Sequence, residues 1–144
     1  DAKVMQLLLG KPARPGLEGA VDHTLKFLSA VSSPAYPPDA GLLKTLITAS
    51  VERSYRPDGI ARQMHAVMTD IERADLLHRI TAPTLVIHGK ADPLVPYACG
   101  EDTAKRIPNA KLHGIEGMGH DMPPGAIDNM MARLLPFLNM HTPL

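Results

Sequence analysis

Ala82-Pro83-Thr84-Leu85-Val86-Ile87-His88-Gly89-Lys90-Ala91-Asp92-Pro93-Leu94-Val95-Pro96 decides how this chain folds. Pro83 bars a helix from continuing into it, and Thr84-Leu85-Val86-Ile87 is a β-branched apolar run closed by Gly89. A run without polar alternation suits a parallel strand covered on both faces. Such a strand delivers Asp92 just beyond its C-terminal end. Downstream, Gly117-Met118-Gly119-His120 delivers a histidine from a second loop, whose glycines permit a tight, open turn.

Between these two blocks, Pro96 sits where a helix can start. Gly100, Thr103, Ala104 and Ile107 form a small-residue face able to pack closely on a sheet. Pro108-Asn109 then turns into a weaker strand at 111–115, Leu112-His113-Gly114-Ile115. The order strand, helix, strand is a βαβ unit. A last helix carries Ile127, Met130, Met131, Leu134 and Leu138, and Pro136 is expected to kink or end it.

Upstream of residue 81 the pattern is helical. Val4, Met5, Leu8 and Leu9 form a first stripe, and Val21, Leu25, Leu28 and Val31 a second, ended by Ser33-Pro34-Ala35-Tyr36-Pro37-Pro38. Asp39 is placed to cap a third helix with Leu42, Leu43, Leu46, Ile47 and Val51. Pro57-Asp58-Gly59 reads as a turn into a fourth, carrying Ile60, Met64, Val67, Met68 and Ile71. These stripes read mostly as core, with a minority free to line an apolar pocket. The expected organisation is therefore an α/β chain with a helical segment at 1–80 and a βαβα segment at 81–144.

With 144 residues, the chain is long enough for one domain with a hydrophobic core. Formal net charge is zero, so nothing electrostatic points to nucleic acid or an anionic membrane as partner. Apolar runs stay far below the ~20 residues that span a bilayer, and no basic and apolar leader opens the sequence. Cys99 has no second cysteine to pair with, which fits a reducing, cytoplasmic location.

In open parallel sheets, ligands bind beyond the carboxyl ends of the strands. Asp92 and His120 follow consecutive strands and so share that edge, where neighbouring strands lie about 4.8 Å apart. The carboxylate would then fix the imidazole tautomer whose other nitrogen can act as a base. Each residue also has a plainer reading in isolation, Asp92 as a loop charge at the next helix's start and His120 as an idle loop histidine. It is their pairing and order that favour chemistry. His88, at a strand end, reads as structural and satisfied by nearby backbone, and His113 as exposed. Asp121 reads equally as a loop charge or as a residue lining the site. His23, His65, His78 and His141 show no metal spacing, so no metal site is expected. Cys99 lacks the surroundings of a nucleophile.

At these residues the chain resembles the α/β-hydrolase superfamily. Pro83-Thr84-Leu85-Val86-Ile87-His88-Gly89, with Asp92 and Leu94-Val95-Pro96, looks like the family's seventh strand and acid loop, and Gly117-Met118-Gly119-His120 like its histidine loop. Arg62-Gln63-Met64-His65-Ala66, Asp102-Thr103-Ala104 and Met118-Gly119-His120-Asp121-Met122-Pro123 resemble ester hydrolases of the aclacinomycin methylesterase type. The resemblance implies that Asp92 and His120 are the acid and base of a Ser-Asp-His triad acting on a small apolar ester, without a cofactor. It also implies that 1–80 is largely the helical cap.

The family's nucleophile stands in a Gly-x-Ser-x-Gly elbow N-terminal to the cap, and that pattern is absent here. Ser29, Ser32, Ser33, Ser50 and Ser54 lie in helical or proline-rich sequence without flanking glycines. The expectation is a C-terminal fragment of an α/β-hydrolase fold, a helical cap followed by a strand-helix-strand-helix unit. The strand at 84–88 would then have an open edge, to be met by the missing N-terminal half or by self-association. Two other readings stay open: a non-catalytic α/β module that binds a ligand or partner through its helices, and a dehalogenase or cofactor-free perhydrolase of the same fold.

Overall fold

In the computed structural model, which describes residues 1–70 and 72–141, five helices precede the sheet. They are α1 (Ala2–Leu9), α2 (Gly16–Val31), α3 (Ala40–Arg53), α4 (Pro57–Thr69) and α5 (Arg73–Leu76), the last running into a 3₁₀ turn at Leu77–Arg79. Strand β1 (Leu85–Gly89), helix α6 (Tyr97–Arg106), strand β2 (Lys111–Ile115) and helix α7 (Pro124–His141) follow. The α/β class and the helix-then-βαβα order are as the sequence implies.

In the helical segment, α2 packs on α3 around Ala20, Val21, Ile47 and Val51, with Leu25, Leu28 and Leu43 against them. Asp39 caps α3 as expected, its side chain accepting from the Leu42 amide at 2.7 Å. The apolar stripe of α3 is narrower than its sequence suggests. Leu43, Ile47 and Val51 recur every four residues and point inward, whereas Leu42 and Leu46 are each 59% exposed. On α4 no residue is buried, and Ile60, Val67 and Met68 are exposed, so this stripe is surface rather than core. Ile71, assigned to the same stripe, lies outside the described residues.

Two boundaries also differ. Pro57-Asp58-Gly59 is the first turn of α4, with Pro57 at the position where its missing N–H costs no helical bond. Pro136 neither ends α7 nor stops it short of His141. Its ring deprives one carbonyl of a donor, while buried Phe137 holds the segment down and meets the His141 ring at a tilt, centroids 4.7 Å apart.

The sheet is two-stranded and parallel, pairing Leu85 with Lys111 through Gly89 with Ile115. Directly paired residues share a face, and faces alternate along each strand. A Cβ on Gly100 would lie 2.7 Å from His88 Nδ1, and one on Gly114 2.5 Å from Tyr97 Oη, so α6 covers the face of His88 and Gly114. His113 Nε2 donates to Asn129 Oδ1 at 3.0 Å, so α7 covers the other face. His113 is therefore half-buried and bonded, not free in solvent. Both faces carry a helix, as the apolar run predicts, yet Leu85, Val86 and Ile87 remain half-buried because β1 pairs with β2 alone among the described strands. Outside the strands, Arg106 joins α6 to α5 through Asp75 at 3.5 Å.

Adjacent positions on α3 should respond very differently to truncation. Ile47→Ala is expected to destabilise the α2–α3 packing by about 2–4 kcal/mol, and Leu46→Ala by about 0.5 kcal/mol or less. Urea unfolding followed by circular dichroism measures both, and equal losses would contradict the inward assignment.

Candidate active site

Beyond Gly89 the two strands keep exchanging backbone bonds through their loops. Lys90 N donates to Ile115 O at 3.0 Å and Ala91 N to Met118 O at 2.9 Å. A Cβ on Gly89 would sit 2.3 Å from Met118 O and 2.5 Å from Gly119 O, so a side chain there would force the loops apart. On the surface, Lys90 Nζ donates to Glu116 at 2.5 Å, a bond that raises the lysine's pKa above its ordinary value and clips the two strand ends together.

This close approach brings Asp92 and His120 into contact. Asp92 Oδ1 accepts from the amides of Leu94 at 2.8 Å and Val95 at 2.9 Å, which fixes the carboxylate. Oδ2 meets His120 Nδ1 at 2.7 Å. The Asp92 side chain is 5% exposed and that of His120 is 44% exposed. An ionised carboxylate only accepts, so the proton in this bond belongs to Nδ1. Nε2 is then the basic nitrogen, and it makes no hydrogen bond among the described residues.

His88 stands behind the pair. Its Nε2 donates to Val95 O at 2.9 Å and lies 3.8 Å from Asp92 Oδ2, while its ring meets Tyr97 edge-on. The backbone partner is the one the sequence suggested, and the ring also props the acid loop.

The histidine loop is held from its other side by the connection between α2 and α3, which the sequence did not reveal. His120 N donates to Val31 O at 2.8 Å, and Ala35 N to Gly117 O at 3.1 Å. Ser33 Oγ accepts from Gly119 N at 2.9 Å and donates to Asp121 Oδ1, which also accepts from Ser33 N at 2.9 Å. Gly117 adopts φ +65°, and a Cβ on it would fall 2.2 Å from Ala35 Cβ. Asp121, left open from sequence, is thus an anchor for buried Ser33 as well as a wall of the site.

Asp92 and His120 open onto a shallow depression of about 260 Å³, whose other walls include Ile87, His88, Met118 and Met122. Among the described residues, none of the helical segment lines it. A larger apolar groove of about 690 Å³ lies between α1, α2 and α4, lined by Leu8, Leu9, Tyr55, Ile60 and Met64 among others. Cys99 is exposed on α6. His78 Nδ1 bonds Asp75 O at 2.6 Å. Among the described residues, no group of three or more His, Cys, Asp and Glu is placed to hold a metal ion, and no helix is long and apolar enough to cross a membrane.

A family model described as serine aminopeptidase, S33, matches residues 52–123, half of the chain and the half that contains both site residues. The chain belongs to the α/β-hydrolase superfamily. Over 66 residues the chain is 44% identical to the non-heme chloroperoxidase CPO-A1 of Kitasatospora aureofaciens, a match covering 44% of the chain and 24% of that protein. Over 53 residues it is 40% identical to the rhodomycin D methylesterase DnrP of Streptomyces peucetius, covering 37% of the chain and 18% of that protein. Among solved structures, the esterase RhEst1 from Rhodococcus sp. ECU1013 superposes on 96% of the chain with a TM-score of 0.69 at 18% identity, which shows a shared fold. The chain spans 48% of that structure's length and about a quarter or less of the two curated relatives.

The tautomer of His120 is directly observable. In ¹⁵N-edited spectra at a pH where the ring is neutral, His120 should carry its proton on Nδ1, and Asp92→Ala should shift the population towards the Nε2–H form. A wild-type ring protonated on Nε2 would contradict the hydrogen bond's assigned direction.

Proposed function

We propose that this chain supplies the acid and the base of a serine carboxylic-ester hydrolase, Asp92 and His120, with the nucleophile carried by polypeptide N-terminal to Asp1. The observation that carries this reading is the 2.7 Å bond from His120 Nδ1 to a carboxylate whose second oxygen is already fixed by two amides. That arrangement presets the ring's tautomer and orientation before substrate arrives. On this reading residues 1–80 are the cap over the substrate and 81–144 the end of the core.

In the intact enzyme the hydroxyl oxygen of the serine attacks the ester carbonyl while His120 Nε2 takes its proton. Asp92 stabilises the imidazolium so formed. The imidazolium returns that proton to the departing alkoxide as the C–O bond breaks. Water then attacks the acyl-enzyme, with the same nitrogen as base, and releases the acid. A small apolar ester fits the edge formed by half-buried Met118 and exposed Met122, and the methylesterase-like motifs. Likeness to the chloroperoxidase favours one second reading, perhydrolysis, in which hydrogen peroxide takes the place of water in the last step.

The test is turnover of p-nitrophenyl esters by the encoded protein with its upstream sequence, alongside this chain alone. The longer protein should be active, with turnover falling on the order of 10⁶-fold in His120→Ala, and the chain alone should show no appreciable turnover. Full activity in His120→Ala, or burst kinetics from the chain alone that vanish on mutating Cys99, would overturn the reading. Added hydrogen peroxide with the ester as acyl donor, read as peracid formed, distinguishes the perhydrolase arm.

The open edge of β1 belongs to the same proposal. Its outer backbone groups, paired by no strand among the described residues, lie beside half-buried Leu85, Val86 and Ile87 and are a template for a further strand. The missing core would fill it in the intact enzyme, and a second copy would fill it in the isolated chain. Sedimentation across a concentration series should show association of the isolated chain. A stable monomer with the amides of residues 84–88 protected from exchange would contradict it.

A further inference from the structure

We infer that Ser33 is a positioning residue for His120, acting with Asp121 to clamp the histidine loop to the α2–α3 connection. The inference rests on the reading of His120 as general base, and it adds to that reading a residue drawn from the helical segment. Its warrant is the placement of three hydrogen bonds. Ser33 Oγ accepts from the amide of Gly119, the residue before His120, at 2.9 Å. The same hydroxyl and the Ser33 amide both donate to Asp121 Oδ1, on the residue after it. One side chain thus grips the loop on both sides of the histidine, while Val31 O takes the histidine's own amide at 2.8 Å.

Burial gives these bonds weight. Ser33 is 1% exposed and is the buried polar residue of the described core, so removing its partners would strand polar atoms away from water. The glycines on the loop make the grip possible. A Cβ on Gly119 would lie 2.5 Å from Val31 O and 2.7 Å from Ser32 O, so any other residue there would lift the loop off the connection. By contrast, the Asp92–His120 bond alone constrains the ring at one nitrogen and leaves the backbone free to rotate about it. The clamp removes that freedom. It also joins the α2–α3 pair, one packed unit, to the catalytic edge, so a displacement of these helices would be felt at His120.

The test uses amide exchange and the His120 ring tautomer in Ser33→Ala, Asp121→Ala and Asp121→Asn. Ser33→Ala and Asp121→Ala should each raise exchange at Gly119 and His120 about tenfold, leave α6 amides unchanged, and reduce the Nδ1–H fraction of the His120 ring. Asp121→Asn keeps the accepting Oδ1 and should behave as wild type. In the active full-length protein, Ser33→Ala should lower kcat more than it raises KM. A uniform rise in exchange with an unaltered tautomer would mean a merely structural serine and overturn the inference. Asp121→Asn as damaging as Asp121→Ala would overturn it as well. The general-base reading fails separately, on the turnover of His120→Ala, so the two failures are distinguishable.

Discussion

Everything at the site depends on how closely two loops approach at Gly89. With no Cβ at that position, the backbone leaving β1 lies against the carbonyls of Met118 and Gly119, and the amides of Lys90 and Ala91 extend the sheet's bonding past its last residue. The aspartate three residues beyond Gly89 and the histidine one residue beyond Gly119 are then brought within a single hydrogen bond. A side chain at 89 would separate the loops by more than that bond can span. The pairing is therefore a property of the backbone before it is a property of the two side chains.

Asp92 and His120 are held by different parts of the molecule. Asp92 is fixed locally, by amides two and three residues along its own loop. His120 is fixed by a segment almost ninety residues away in sequence, through Val31, Ser33 and Ala35. Such a division suits a proton-transfer pair. The carboxylate must stay buried and immobile, whereas the imidazole must keep one nitrogen open to a reactant. In this chain the helical segment is then a support of the site, although it does not line the depression.

The sequence displayed β1, its aspartate and the glycine-flanked histidine because each leaves a local mark: a β-branched run, a turn, a pair of glycines. It also displayed the Asp39 cap and the helically spaced stripe of α2, Val21, Leu25, Leu28 and Val31. It could not say whether Leu42 or Leu43 of α3 faces inward, since neighbouring leucines satisfy a helical stripe equally and tertiary packing chooses between them. Nor could it show that α4 leaves its apolar residues exposed, because periodicity reports amphipathicity and not the presence of a partner. The Ser33–Asp121 contact was invisible for a different reason. Hydrogen bonds across 88 residues leave no pattern in either segment, and Ser33 read only as the corner that ends a helix.

On the proposed function, Asp92 works through His120 rather than beside it. A double-mutant cycle on kcat/KM in the encoded full-length protein tests this most directly, with Asp92→Ala, His120→Ala and both together. If the carboxylate acts by orienting and stabilising the imidazole, the double variant should be no slower than His120→Ala alone. Losses that multiply, so that the double variant falls by the product of the single effects, would contradict the account.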